Sequence, residues 1–147
     1  NYINALYSDR NGGLWIGSPS QIYYLKDGRF SYFPASGADV TAFLEDKDGN
    51  LWIGSEKGVN IRRDGKDINI LQESNGLVNN DVHLLTKTKD GAIWIGTIGG
   101  LSRYKDGVFT SWTTQQGLSN NYIRDLLEDK EGNIWLATYG GGLNLLQ

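Results

Sequence analysis

Asp48-Gly49-Asn50-Leu51-Trp52-Ile53-Gly54-Ser55 is a tight turn running straight into a short apolar strand, and the chain holds four versions of that strand. The others are Leu14-Trp15-Ile16-Gly17-Ser18, Ile93-Trp94-Ile95-Gly96-Thr97 and Ile134-Trp135-Leu136-Ala137-Thr138. The tryptophans recur roughly every 40 residues, a period that suits four short strands with their turns and marks one blade of a toroidal β-repeat. One tryptophan per repeat at one position reads as core and not as a ligand-binding stripe.

Outward from this strand, each repeat begins with a half-buried run: Ile3 to Tyr7, Val40 to Glu45, Val82 to Lys87 and Ile123 to Glu128. These runs end at Asn11-Gly12-Gly13, Asp48-Gly49-Asn50, Asp90-Gly91 and Glu131-Gly132-Asn133, residues that tolerate the positive φ of hairpin turns, so each run should pair antiparallel with its tryptophan strand. A third run follows at Gln21 to Leu25, Val59 to Arg63, Leu101 to Lys105 and Leu143 to Leu146. The first three of these enter a second turn at Asp27-Gly28, Asp64-Gly65 and Asp106-Gly107, and then a fourth run at Phe30 to Phe33, Ile68 to Leu71 or Val108 to Thr113.

The expected architecture is therefore all-β, a β-propeller of about four blades over residues 1–37, 38–79, 80–120 and 121–147, three with four strands and the last with three. Each blade buries its apolar faces only against its neighbours, so the two flanking blades should expose apolar surface. Three arrangements would cover it: an arc cut from a larger ring, two chains joined as a homodimer into one ring of about eight blades, or a missing strand supplied by another protein; a closed four-bladed ring with an incomplete last blade is a fourth, less comfortable one.

Composition agrees. Twenty glycines against two prolines, with eight tyrosines and five tryptophans, is what many short strands and tight turns require. A formal charge of -3 gives no electrostatic reason to approach nucleic acid. The absence of cysteine excludes disulfides and thiolate metal sites. No apolar run reaches the roughly 18 to 20 residues of a membrane-spanning helix, so no membrane segment is read in this chain. A chain with no methionine that opens on Asn1 is expected to be a processed protein or an excised piece.

Glu45-Asp46-Lys47-Asp48-Gly49-Asn50-Leu51-Trp52-Ile53-Gly54 and Glu128-Asp129-Lys130-Glu131-Gly132-Asn133-Ile134-Trp135, with Asn75-Gly76-Leu77-Val78-Asn79-Asn80 and Gly117-Leu118-Ser119-Asn120-Asn121, resemble the two-component regulator propeller repeat. The first repeat departs from the pattern, with Ser18-Pro19-Ser20-Gln21 in place of a Gly-rich connection. The resemblance implies the periplasmic or extracellular sensor part of a bacterial membrane-bound regulator, commonly a hybrid histidine kinase, with a small glycan as ligand and no cofactor. Fold transfers with such a resemblance more securely than ligand does.

In a propeller the first strand of each blade lines the central channel, and the loops joining fourth to first and second to third strands share one face. That face should carry Asn79, Asn80, Asp81, Asn120, Asn121, Tyr122, Ser18 to Gln21, Glu56, Lys57, Ile98 and Tyr139. Asn4, Thr41, His83 and Arg124 stand second in the four first strands and differ among otherwise similar repeats, so recognition could be written there. The candidate ligand-binding residues are Arg124, Tyr122, His83, Asn4, Thr41, Asn80, Asn121 and Tyr139. Arg124, for a bidentate contact to a carboxylate, and Tyr122, for stacking on a sugar, lead this set. The competing reading is that these are solvated polar residues of a wet channel, with the Asn pairs as turn formers. Trp112, outside the tryptophan series, reads as edge packing or as a partner contact.

Catalysis has little to stand on. A lyase resembling the streptogramin-cleaving propellers would need a metal-assisted His and Glu arrangement, and His83 is the only histidine. Asp46-Lys47-Asp48-Gly49-Asn50 looks superficially like a calcium loop, but an EF-hand frame would put Lys57 where the bidentate Glu belongs, so a hairpin turn is expected. The chain is therefore read as a non-catalytic ligand-sensing module without metal or cofactor, with a structural or protein-interaction scaffold as the alternative and a propeller lyase or hydrolase behind it.

Overall fold

The computed structural model describes residues 2–146, apart from the side chain of Ser36. Thirteen strands follow one another: β1 Ala5–Ser8, β2 Leu14–Lys26, β3 Arg29–Glu45, β4 Leu51–Ser55, β5 Gly58–Arg63, β6 Lys66–Leu71, β7 Val82–Lys87, β8 Ile93–Thr97, β9 Gly100–Lys105, β10 Val108–Trp112, β11 Ile123–Glu128, β12 Ile134–Thr138 and β13 Gly142–Leu146. β7 to β10 form a four-stranded antiparallel blade and β11 to β13 a three-stranded one. This is the architecture that the repeat predicts, a propeller section of four blades.

The first two blades are joined in one six-stranded sheet, which the sequence does not announce. β2 fills two strand positions. Ser18 Oγ donates to the Gln21 carbonyl at 3.3 Å, as Thr97 Oγ1 does to Gly100 at 2.8 Å in the tight turn of the third blade, and Trp15 stacks on Tyr24 at 4.3 Å. β3 serves both blades: Arg29 to Pro34 pair with β2, and Val40 to Glu45 pair with β4. Later connections break the chain with 3-10 turns at Glu73–Asn75 and Thr114–Gln116, each closed by a left-handed glycine, Gly76 at φ 108° and Gly117 at φ 101°. The first repeat has no such Gly-Leu connection; Pro34 pairs with Gln21 and Asp39 with Pro19, and the residues between them bulge out of the ladder at Gly37, φ 74°, so the strand runs on between the two blades.

The acidic turn of each repeat fastens the tryptophan behind it. Asp46 Oδ1 accepts from the Asp48 and Asn50 amides at 2.9 Å each, and Oδ2 accepts from Asn50 Nδ2 at 3.0 Å and from Trp52 Nε1 at 2.9 Å. Asp129 repeats this around Trp135. In the third blade Thr88 intervenes: its hydroxyl accepts from Trp94 Nε1 at 3.0 Å and donates to Asp90 at 2.6 Å. The apparent calcium loop is thus a hairpin whose carboxylate is already engaged by N–H donors.

These bonds favour the ionised carboxylates. Hydrogen bonds from Trp135 and Asn133 hold Asp129 down to about 2, and the Thr88 hydroxyl, the Ala92 amide and Arg103 hold Asp90 well below the usual carboxylate range. Burial alone would raise Asp46, but the bonds from Trp52 and Asn50 outweigh it and leave the group lowered. A carboxylate depressed in the folded state contributes stability above its unfolded pKa, near 3.9, and that contribution disappears as pH falls through the folded value. The urea midpoint, followed by tryptophan fluorescence, is therefore expected to hold from neutral pH to about 5 and to fall steadily from about 4 toward 2. A midpoint unchanged at pH 3 would contradict the assignment.

A column of glycines sets how closely successive blades stack. A Cβ on Gly17 would lie 2.6 Å from Val40 Cγ1, one on Gly54 2.8 Å from Val82 Cγ1, and one on Gly96 3.1 Å from Ile123 Cγ2. Each glycine thus admits the first apolar residue of the following blade. The fourth repeat has Ala137 at this position. Gly54→Ala is expected to destabilise by about 1–3 kcal/mol through overpacking. Ala137→Gly, where no described blade follows, should cost only about 0.5–1 kcal/mol; paired urea melts measure both.

Three core clusters form, one at each junction. Ile22, Val40, Phe43 and Ile53 pack between the first and second blades, Leu44, Trp52, Val59, Val82 and Leu85 between the second and third, and Trp94, Leu101, Ile123 and Leu126 between the third and fourth. Among the described residues no cluster joins the fourth blade to the first. Leu6 is accordingly 64 % exposed, whereas Phe43, Leu85 and Leu126 at the same ladder position are 5 %, 7 % and 9 % exposed. On the opposite flank Leu143 is 67 % exposed, against 0 % for Val59 and Leu101 in its place. The blades form an open arc.

Candidate functional site

The inner strands of the arc share one irregularity. The ladder slips between Val40 and Ala42, between Val82 and Leu84, and between Ile123 and Asp125. Thr41, His83 and Arg124 are the extra residues in these bulges, freed from cross-strand pairing and re-aimed by the local twist. Asn4 takes the same place in the first blade, one residue before Ala5, with its amide on the Gly17 carbonyl at 2.8 Å. The four residues singled out for their variation therefore line a single cavity of about 610 Å³, on the concave side of the arc.

That cavity is also lined by Asp39, Glu56, Asp81 and Ile123. Asp39, Asp81 and Tyr122 each immediately precede the residue at which a bulge begins, Val40, Val82 or Ile123, so they form a second row beside the first. Asp39 goes unremarked in a reading of the sequence because the first connection lacks the motif that flags the later two. Glu56 accepts from the Asp39 amide at 2.7 Å, which holds the acidic side of the cavity together.

His83 and Arg124, which also line the cavity, have aromatic rings packed against them. His83 Nε2 lies 3.0 Å from Asp81 Oδ1, and its ring meets the edge of Tyr122 at 5.3 Å. Tyr122 stacks on Tyr139 at 5.4 Å, and the Tyr139 amide donates to the Tyr122 carbonyl at 2.9 Å, so the two rings are pinned through the backbone as well. The Arg124 guanidinium sits 5.9 Å from the Tyr122 ring and 6.0 Å from the Tyr139 ring. Among the described residues no carboxylate lies within ion-pair distance of it. A cation resting on two tyrosines, without an anionic partner, is a prepared seat for an anionic oxygen. Tyr139, 62 % exposed, offers an open ring face beside it.

Other candidates have structural duties. The Asn80 side-chain oxygen accepts from the Glu73 amide at 2.8 Å and that of Asn121 from the Thr114 amide at 2.7 Å, each tying the start of a 3-10 turn to the strand after it. Asn79 and Asn120 accept from the amides of Asp81 and Tyr122 at 2.9 Å and 2.8 Å and so set the second row in place. The Thr41 hydroxyl donates to the Val82 carbonyl, linking two blades at the cavity wall. Arg124, Tyr122, Tyr139 and His83 are thus brought together, Asn4 and Thr41 face them across the cavity, and Asn80 and Asn121 stay in the loops. Among the described residues no group of three or more His, Asp or Glu side chains is placed to hold a metal ion.

Comparisons with known proteins bear on the fold that carries these residues. Residues 1–20, 35–57, 76–99 and 117–140 match the sequence profile of a family described as the two component regulator propeller. The extracellular domain of the putative hybrid two component system BT3049 from B. thetaiotaomicron is similar at 29 % identity and a TM-score of 0.86, over 99 % of this chain and 21 % of that one. That of the putative one component system BT4673 from the same organism is similar at 20 % identity and a TM-score of 0.81, over 100 % of this chain and 24 % of that one. The chain thus spans less than a quarter of either. Virginiamycin B lyase from Staphylococcus aureus shares the fold at 15 % identity and a TM-score of 0.68, over 99 % of this chain and 55 % of the lyase. No curated protein matches the chain.

Proposed function

This chain belongs to the two component regulator propeller family, and from that premise we propose that it is a non-catalytic ligand-sensing section of a periplasmic or extracellular sensor, whose concave face binds a carboxylate-bearing saccharide. The observation that carries this reading is the Arg124 guanidinium, held on Tyr122 and Tyr139 without a carboxylate of its own. An acidic sugar would place its carboxylate on Arg124, lay its ring on Tyr139 and direct hydroxyls to Asp39 and Glu56 across the cavity. The open flanks are covered in the working assembly by further blades, from the same polypeptide or from a second copy.

The test is a thermal-shift panel of neutral and uronate-bearing oligosaccharides, since a ligand that binds only the folded state raises its stability. The acidic members should raise the melting temperature and their reduced, neutral counterparts should not. Equal shifts from both sets would refute the charge reading. The exposed Leu6 and Leu143 flanks favour a second reading, a protein-interaction scaffold. A panel without any shift, together with concentration-dependent self-association, would support that instead.

A further inference from the structure

The inner strands end on a column of residues that reach back to the hairpin turn of the preceding blade. Glu45, the last residue of β3, accepts from the Arg10 amide of the first blade at 3.0 Å, and Glu128, the last of β11, accepts from the Lys89 amide of the third at 2.9 Å. Arg10, Lys47 and Lys89 are equivalent, each following the residue whose amide closes its turn, Asp9, Asp46 and Thr88. A carboxylate from the following blade thus ties two of the three junctions in the same way.

At the middle junction the column holds Lys87, the last residue of β7, which pairs with Ile93 as Glu45 pairs with Leu51 and Glu128 with Ile134. An ammonium cannot accept a hydrogen bond, and Lys87 Nζ instead donates to the Glu45 carbonyl at 3.1 Å. The Asp46 carboxylate takes the amides of Asp48 and Asn50, and among the described residues no oxygen accepts from the Lys47 amide. A cleft of about 310 Å³ opens at this junction, lined by Lys47, Lys87 and Lys105 together with Trp52, Ile93 and Tyr104. The junction keeps the donor of its two counterparts and has exchanged their carboxylate for a second donor.

We infer that this cleft binds one carboxylate on a short apolar stem, the group that Glu45 and Glu128 supply at the other junctions, brought by a free organic acid or by a glutamyl side chain of a partner. The Lys47 amide and the Lys87 ammonium offer it charge-assisted hydrogen bonds, and Tyr104 offers its stem an apolar surface. Asp46, Asp48 and Asp106 also line the cleft, although both oxygens of Asp46 are taken by N–H donors, and Lys105 is shared with Asp90 at 3.8 Å. These carboxylates limit the ligand to a single charge, because a phosphate or a polyanion would bring more repulsion than the two donors offset. Glu45 shows that such a setting accepts one carboxylate: it holds the Arg10 amide while Asp9 and Asp64 line the same cleft. Lys87 lies four residues along β7 from His83, about 13 Å at the rise of a strand, so the site is separate from the cavity and the inference is independent of the saccharide reading.

The probes are glutarate and the blocked peptide Ala-Glu-Phe, titrated to tens of millimolar against the isotope-labelled chain, with the Lys47 amide resonance as the readout. A saturable downfield shift is expected with both acids, and an affinity about tenfold lower for the peptide with Gln in place of Glu. Lys87→Glu returns a carboxylate to the column, so it should raise the urea midpoint and weaken binding of both probes by about tenfold or more. Lys87→Met keeps the stem without the charge, and should weaken binding similarly with the midpoint little changed. Tighter binding of the peptide than of glutarate assigns the carboxylate to a partner chain, and equal binding assigns it to a free acid; either upholds the site. Equal affinity of the Glu and Gln peptides, binding that leaves the Lys47 amide unshifted, undiminished binding by Lys87→Glu, or no binding of either acid would overturn the inference.

Discussion

Replacing Trp52 with alanine is expected to cost about 3–5 kcal/mol, a large part of the roughly 5–15 kcal/mol that stabilises a domain. Trp52 is 3 % exposed at the central junction, where it touches Tyr104 edge-on and gives its indole N–H to Asp46. Its removal would open a cavity at the one junction with a blade pair on each side and leave a carboxylate short of a donor. Trp52→Phe separates the two effects, keeping much of the packing and losing the hydrogen bond, and should cost about 1–2 kcal/mol. Trp135 makes the same bond to Asp129 but is only half-buried on the open flank, so Trp135→Ala should be clearly milder. Urea unfolding of the three variants checks this order. Equal losses at Trp52 and Trp135 would mean that blade stacking contributes little.

Arg124→Ala is expected to weaken binding of a uronate-bearing oligosaccharide by about ten- to a hundredfold, the worth of a charge-assisted hydrogen bond of about 1.5–3 kcal/mol. Arg124 sits in a bulge, exposed and outside the ladder, so its removal should leave the urea midpoint unchanged. Arg124→Lys keeps the charge but not the planar fork, and should recover only part of the affinity. Tyr139→Ala removes the open ring face and should cost about three- to tenfold, close to the value of an aromatic contact beyond its area. Titration calorimetry on these variants distinguishes a recognition site from polar lining: undiminished binding by Arg124→Ala would remove the guanidinium from the site.

The strands were legible because two signals coincide in every repeat, a Trp strand and an Asn-Gly, Asp-Gly or Gly-Asn turn at a fixed offset. β7 and β11 span the very residues that alternation proposes. The continuity of β3 was not legible. It depends on the pairing of Asp39 with Pro19, a contact between residues of low strand propensity that no local pattern encodes. The grouping of Arg124, Tyr122, Tyr139 and His83 follows from knowing which loops share a face. What sequence alone withholds is register: whether a residue next to a strand start points into the channel or folds back on its own loop. Asn80 and Asn121 look as available as Tyr122 in the sequence, yet their carboxamides hold the first amide of each 3-10 turn. Ala137 was visible as a departure from the glycine column, but its meaning needs the following blade in view.

The bulges at Thr41, His83 and Arg124 have a consequence for how such a propeller changes over generations. A residue in regular pairing answers to its partner across the ladder, so replacing it disturbs two strands; a bulged residue answers to neither. His83 and Arg124 can therefore vary while the surrounding blade keeps its shape, whereas Thr41 is held to its type by the bond from its hydroxyl to the Val82 carbonyl of the next blade. Duplicating a repeat adds one more inward-facing side chain to the row without renegotiating the others. Variation of the inward-facing row is thereby decoupled from the preservation of the scaffold, and a library randomised at Asn4, His83 and Arg124 is expected to leave most of its members folded.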